Sequence, residues 1–410
     1  MQTSPDLIQN AKEATHPFSA SYPALSKSVN MPEGPTPNLN AKTLLVGRPN
    51  VGNRETFNQL VDGIFERRWF TNNGQLVQEL ERKLCDYMGV RHCIPICNAT
   101  IGLQVVCHAL DLKGQIIVPA YTFVATPHSV QWEGVTPIFA DIDPVTHLMD
   151  PDQVEELITP HTSAILGVHA WGRACYPERL QKIADDHGLD LYFDAAHAFG
   201  CKHGGKMIGN FGRAEVFSFH ATKFFNTFEG GAIATNDDEL AARIRLMINF
   251  GFTGMDNVVH LGTNGKMSEI HAAMGLACFE EIGNIVQTNQ KHYQQYREAL
   301  SPLPGIRFCD YDDVEGTNFQ YVAIEVDETH AGISRDELML ALHARNIMVR
   351  RYFYPGCHRM EPYVSLQPGL AKRLPATEAI CHKVMVLPTG TGTSSEDVTR
   401  VCEAIANALR

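Results

Sequence analysis

Two short segments hold residue types that could do chemistry together. In LYFDAAHAFG, Asp194 closes an apolar run and His197 follows after two alanines. In EVFSFHATKFFNTFEGGAIAT, Ser218 and His220 alternate with Phe217 and Phe219, and Lys223 stands where that strand pattern ends. A lysine set among Phe224, Phe225 and Phe228 loses water, and desolvation favours its neutral form. A neutral amine attacks a carbonyl carbon and forms a Schiff base. A carboxylate at the end of an apolar strand is costly unless a cation or a hydrogen-bond donor faces it. Asp194 therefore reads either as a helix cap or as the partner of a protonated ring nitrogen. Gly230 and Gly231 permit a close backbone approach or a tight turn before the next strand.

Two more segments belong beside these. CNATIGLQVVCHAL puts Asn98, Ala99 and Thr100 at the start of a helix, whose small residues leave backbone N–H groups for an anion at the positive helix end. A plain helix cap is the simpler alternative. PAYTFVAT follows a strand pattern and offers Tyr121 and Phe123 as ring faces. An amine, a carboxylate, an anion-binding helix end and an aromatic face at successive strand ends are the parts that pyridoxal phosphate requires. Arg350, Arg351 and Lys266 are candidates for binding carboxylate or phosphate groups, although paired arginines equally form a solvated or ion-paired edge.

Two tempting motifs fall away. LLVGRPNVGNRE has the glycine spacing of a phosphate loop, but Asn53 and Arg54 stand where lysine and a hydroxyl are needed, so it reads as a turn before a helix. LPTGTGTSSED carries half of a dinucleotide fingerprint, with Ser395 in place of the third glycine, and reads as a loop capped by Ser394 or Ser395 ahead of the last helix.

The elements that must position these residues are legible as apolar runs alternating with amphipathic helices. The runs are Ile116–Val118, Pro137–Ala140, Ala164–Val168, Leu189–Phe193, Val216–Phe219 and Ala232–Ala234. Helical spacing marks Gln75 to Gly89, Pro151–Ile158 and Pro177–His187. Runs that are apolar throughout imply an α/β fold, with a mostly parallel sheet covered by helices on both faces and ligands at its carboxyl ends. After about Glu281 the pattern changes to a helix at Thr288–Leu300, strands at Asn318–Val326 and Val349–Tyr354, and helices at Arg335–Arg345 and Glu396–Leu409. The expected organisation is an extension over residues 1–40, mobile or draped on a partner, a large domain over 41–283 and a smaller α+β domain over 284–410.

Composition bounds the function. With 34 Lys+Arg against 46 Asp+Glu, the 410 residues carry a net charge of −12, which argues against a nucleic-acid or anionic-membrane surface. The opening stretch Met1–His16 has neither the basic start nor the apolar core of a secretory signal, and no run is long enough to span a bilayer. Eleven cysteines without a CxxC pair point to free thiols and to the cytoplasm, and no metal site is expected.

WFTNNGQLVQELE, CNATIGL, IIVPAYTFVAT, GVTPIFADIDP, VHAWG, LYFDAAHAFG, FSFHATKFFNTFEGGAIATND, INFGF and GTNGKMSEIHAAMGL together resemble the DegT/DnrJ/EryC1/StrS family of aminotransferases over roughly residues 69–275, with a weaker match to the C-terminus. The resemblance implies a fold type I, pyridoxal-phosphate-dependent transferase, usually a homodimer with active sites at the subunit interface. It implies that Lys223 carries the cofactor and shuttles the proton, that Asp194 pairs with the pyridine nitrogen and that His197 sits near the ring hydroxyl. Phe123 would stack on the ring. Ala99, Thr100 and Ser218 would hold the phosphate, with Asn249 reaching in from the neighbouring subunit and Asn264 and Lys266 near the substrate. Two departures stand out: Asn98-Ala99-Thr100 replaces the family's Ser-Gly-Thr, and Asn249-Phe250-Gly251 replaces Asn-His-Gly. SFHATK followed by EGG resembles members acting at C-4 of a nucleotide-linked 4-keto-6-deoxyhexose, with an amino acid such as glutamate as donor. Transamination of a non-sugar ketone, or a non-catalytic cofactor-binding regulator, are the competing classes.

Overall fold

Continuous apolar runs form strands wherever both sheet faces are covered. The computed structural model describes residues 42–311 and 316–410, and the expected N-terminal extension over residues 1–40 lies outside them. The large sheet holds β1 (His92–Ile96), β2 (Gln115–Pro119), β3 (Thr136–Ala140), β4 (Thr162–Val168), β5 (Asp190–Asp194), β6 (Ala214–Ser218) and β7 (Gly231–Thr235). Their spatial order is β1-β7-β6-β5-β4-β2-β3. All neighbours from β6 to β3 pair in parallel, whereas β7 runs antiparallel to β6 and β1. Successive side chains serve opposite cores. On β2, Ile116 and Val118 join one cluster with Leu103 and Val106, while Ile117 joins another with Leu180.

The helices of this part are α1 (Arg54–Arg67), α2 (Gln75–Met88), α3 (Ala99–Ala109), α4 (Ala125–Trp132), α5 (Pro151–Leu157), α6 (Pro177–His187), α7 (Asp238–Met247), α8 (Glu269–Phe279) and α9 (Ile282–Leu300). Asn53 caps α1 by accepting from the N–H groups of Glu55 and Thr56, so the glycine-rich LLVGRPNVGNRE is indeed a turn before a helix. Helix α2 ends where Gly89 takes φ 64°, a left-handed conformation that glycine adopts without penalty.

C-terminal residues build a second, antiparallel sheet from β8 (Ile306–Phe308), β9 (Val322–Val326) and β10 (Val384–Leu387). Against it pack α10 (Arg335–His343) and α12 (Ser395–Ala408), with α11 (Pro375–Lys383) leading into β10. Leu338, Leu342, Val398, Val401 and Ile405 bury into this core, and Leu44 from the N-terminal side joins it. Ser394 caps α12 through a reciprocal pair with Asp397.

Four local expectations change. Strand β1 carries no clear run because Pro95 interrupts it, and its place at the sheet edge is where a proline is tolerated. Helix α9 starts at Ile282, not Thr288, and the strand expected from Asn318 begins only at Val322. Val349–Tyr354 is not a strand: Arg350 makes one isolated bridge with Val386, and the chain then turns, Tyr354 N–H donating to the Arg351 carbonyl. That turn delivers the Tyr352 and Phe353 rings to the site described below. All eleven cysteines are free thiols, Cys85 and Cys97 being half-buried and the others buried. Among the described residues no helix is long and apolar enough to cross a membrane.

Candidate active site

The carboxyl ends of β5 and β6 bring Asp194 and Lys223 into one pocket. Asp194 is the last residue of β5 and is 6% exposed. Its Oδ2 accepts from Thr126 Oγ1 at 2.8 Å and its Oδ1 from the Ala196 N–H at 3.0 Å. Burial raises its pKa, and these two donors, with the charges of Lys223 and His169, act against that rise. The carboxylate thus sits in a dry site held by neutral donors.

Lys223 follows β6 by five residues, in the turn closed by its own N–H to the His220 carbonyl. Burial pulls the amine down to about 8 from its ordinary 10.5, and the charge of Asp194 resists. The lowered basicity agrees with the sequence expectation, but the neighbouring ring is a different one. Phe224 and Phe225 pack into the cluster around Phe199, and Phe228 is 42% exposed. Lys223 Nζ instead donates to Tyr321 Oη at 3.1 Å, reaching across 98 positions of sequence.

An aromatic wall surrounds this pair. His197 is buried, lies 4.2 Å from the Tyr321 ring and stacks on Trp171 and Phe353 at 5.9 and 5.7 Å. Burial, then the Lys223 charge, holds its pKa well below the usual histidine range. Its Nδ1 accepts from the Trp171 N–H at 3.3 Å, which fixes the ring as neutral with Nε2–H available. Phe123, before α4, is 58% exposed and presents an open ring face.

The helix start expected to hold an anion is that of α3, capped by Asn98. Asn98 Oδ1 accepts from the Ile101 N–H at 2.9 Å and the Asn98 carbonyl takes the Gly102 N–H. Ala99 and Thr100 open the helix at its positive end, Ala99 half-buried and Thr100 exposed. Gly231 explains the double glycine. It pairs with Ser218 on one side and Ile96 on the other, and a Cβ there would lie 2.5 Å from the Phe217 carbonyl oxygen and 3.0 Å from Ala99 N. Only a bare backbone lets the helix start and Ser218 come this close.

Asn249, Asn264 and Lys266 form a separate group. Asn249 bridges Asn264, Lys266 bridges Ile96, and the Cys97 N–H donates to the Gly265 carbonyl at 2.8 Å. Asn249 and Lys266 line a cavity of about 450 Å³ that does not include Lys223. Lys266 Nζ lies 4.7 Å over the Phe250 ring, and burial lowers its pKa. Arg350 is exposed, 5.3 Å over the Tyr352 ring. Arg351 is committed: both oxygens of Asp336 accept from its Nη1 at 3.2 Å, and it stacks 4.2 Å over Tyr354.

Fold and site define an α/β enzyme that activates an amine beside a buried carboxylate. Residues 52–406 match the profile described as the DegT/DnrJ/EryC1/StrS aminotransferase family. The chain is 38% identical over 369 residues to a dTDP-4-amino-4,6-dideoxy-D-glucose transaminase of Shigella dysenteriae, covering 90% of this chain and 99% of that one. It is 33% identical to a GDP-perosamine synthase of Caulobacter vibrioides, covering 83% and 92%. Among solved structures, DesI in the presence of its TDP-sugar product superposes with a TM-score of 0.87 at 48% identity over 92% of this chain and 95% of that one. Helicobacter pylori PseC, an aminotransferase of pseudoaminic acid biosynthesis, gives 0.83 at 25% identity over 90% and 99%. The chain belongs to the DegT/DnrJ/EryC1/StrS aminotransferase family. It is a fold type I, pyridoxal-phosphate-dependent aminotransferase.

The donor set fits that cofactor: a buried carboxylate without a bound cationic side chain among the described residues, an amine of lowered pKa, and a helix end bordered by a serine. Three members of the site escaped the sequence reading. Thr126 stood within a quoted motif without being singled out, one helical turn from Thr122, whose Oγ1 it meets at 2.8 Å. Trp171 likewise stood within the quoted VHAWG without being singled out, and Tyr321 carries no sequence signal, because a fold contact brings it in from a distant element.

Proposed function

We propose that this enzyme moves an amino group from glutamate to C-4 of a nucleotide-linked 4-keto-6-deoxyhexose. The observation that carries the reading is the pairing of a lysine amine near pKa 8 with a buried, neutral-donor-held carboxylate. The substrate class is taken from the dTDP- and GDP-linked sugars named for the relatives.

Bound pyridoxal phosphate supplies an electron sink that makes the proton at the donor's Cα labile. In this reading the chain's own residues do the rest. Lys223 Nζ holds the cofactor, then as a free amine takes and returns that proton; its lowered pKa leaves a useful neutral fraction near pH 7–8. Asp194 holds the proton on the pyridine nitrogen, and its dry surroundings strengthen the attraction. Ala99 and Thr100 N–H groups and Ser218 Oγ hold the phosphate, His197 sits by the ring hydroxyl and Phe123 covers a ring face. Lys266, Asn264 and Arg350 bind the anionic parts of the substrate, whereas Arg351 serves mainly to hold Asp336.

The same reading includes a homodimer in which Asn249 reaches the site of a second copy. The segment following Asn249 supports it, since Phe250, Phe252, Met255, Val258, Val259 and Leu261 are all exposed apolar side chains. A cytoplasmic enzyme agrees with eleven free thiols. The organisation is a cofactor-binding domain to about residue 283, followed by a smaller domain.

Running the reaction backwards tests the substrate. Incubation with dTDP-4-amino-4,6-dideoxy-D-glucose and 2-oxoglutarate is expected to form glutamate, with slower formation from a GDP-linked amino sugar and none from an amino cyclitol. Glutamate formed fastest from the cyclitol would reverse the assignment.

A further inference from the structure

The lysine at the centre of this site is held by a residue that nothing in its motif announces. Lys223 Nζ and Tyr321 Oη are 3.1 Å apart, and the ring centroid is 5.8 Å from Nζ, so the contact is with the hydroxyl and not with the ring face. Tyr321 is 7% exposed and its position is fixed from several sides. Its carbonyl accepts from Tyr311 Oη at 2.7 Å. Three residues earlier, Asn318 Nδ2 donates to the carbonyls of His197 and Phe199 at 3.1 and 2.9 Å, which ties this segment to the loop that carries His197. The ring packs at 5.5 Å from Trp171 and 4.2 Å from His197.

Burial keeps the phenol protonated at any working pH, with Tyr352, Tyr311 and Asp194 adding to the rise. A neutral phenol both accepts from an ammonium and donates to an amine. It is therefore matched to Lys223 in either protonation state, without taking the proton itself.

We propose that Tyr321 is a catalytic residue of amino transfer, its hydroxyl holding the Lys223 amine in place whenever that amine is free of the cofactor. This rests on the reading of Lys223 as the cofactor-bearing lysine. A four-carbon stem that swings free loses the geometry on which proton transfer at Nζ depends. Besides this hydroxyl, the titratable groups facing Nζ are Asp194, whose charge resists the fall in the lysine pKa, and the neutral His197.

Tyr321→Phe tests the proposal, because it keeps the ring that packs against Trp171 and His197 and removes only the hydroxyl. The first readout uses protein freed of cofactor: the pH midpoint for acetylation of Lys223 by acetic anhydride, followed by peptide mass spectrometry. A charge-assisted hydrogen bond favours the ammonium, so its loss is expected to lower the midpoint by about one unit. The second is the rate of the half-reaction with glutamate in the cofactor-loaded enzyme, expected to fall roughly 10- to 100-fold. Borohydride must fix the cofactor to Lys223 in both proteins, which shows that the reading of Lys223 itself stands. With that control satisfied, a wild-type value for either the midpoint or the rate overturns the role of Tyr321.

Discussion

Thr126 Oγ1 donates to Asp194 Oδ2 across 2.8 Å, joining the first turn of α4 to the end of β5. The hydroxyl favours the charged carboxylate in a site where burial favours the neutral one. Thr126→Val removes that donor while preserving shape, so the Asp194 pKa rises further. The acid limb of kcat/KM should move to higher pH, with the alkaline limb unmoved. Asp194→Asn goes further, since a neutral amide does not hold a proton on the pyridine nitrogen, and should slow turnover by roughly 100-fold or more. A pH–rate series on both variants checks the pair.

Lys223 carries a stability cost as well as a function. Its pKa falls from 10.5 in the unfolded chain to about 8 in the fold. The fold thus binds fewer protons than the unfolded chain between those values, and stability rises with pH across that window. Below pH 8 the full cost applies, up to about 3 kcal/mol. Cofactor-free Lys223→Met should therefore unfold at higher urea than the parent at pH 7, with the difference narrowing toward pH 10.5.

The start of α3 leaves no room for a methyl at residue 231. Gly231→Ala must push the Phe217 carbonyl or the Ala99 N–H aside, at a cost of about 1–3 kcal/mol. Because Ala99 belongs to the helix end proposed to hold the phosphate, cofactor affinity should fall alongside thermal stability. Equilibrium dialysis against pyridoxal phosphate, beside a melting curve, reads both.

Leu261 is 75% exposed and Met255 94%, within the apolar segment after Asn249. A charge there opposes burial in an interface. In the proposed homodimer, Leu261→Glu is expected to shift the enzyme from dimer toward monomer by analytical ultracentrifugation and to cost activity in proportion, since Asn249 would lose the neighbouring site. A variant that remains dimeric would place the interface elsewhere.

How much the sequence disclosed depended on the range of each interaction. Strands β2 to β7 were readable because burial on both faces writes an uninterrupted apolar run, as in Gln115–Pro119. Lys223 and Asp194 were readable because each lies at a strand end within a short motif, and the Ala99 helix start because small residues follow the Asn98 cap. Tyr321 was hidden because its partner lies 98 positions away. Val349–Tyr354 misled because its apolar and aromatic composition serves contacts with Trp171 and Tyr321, not a ladder. Pro95 masked β1 until its edge position was known. Phe225 and Phe224 were rightly seen as apolar surroundings for the motif, yet they build the core behind it while Tyr321 does the contacting.

The central claim is that Lys223 bears pyridoxal phosphate and moves nitrogen from glutamate. Its most direct test is an absorbance spectrum of the purified enzyme, with borohydride trapping and peptide mapping before and after glutamate is added. The account predicts a band that borohydride fixes onto Lys223, lost on addition of glutamate as the cofactor takes up nitrogen and 2-oxoglutarate appears. Cofactor trapped on another lysine, or a band on Lys223 that no amino donor discharges, would contradict it.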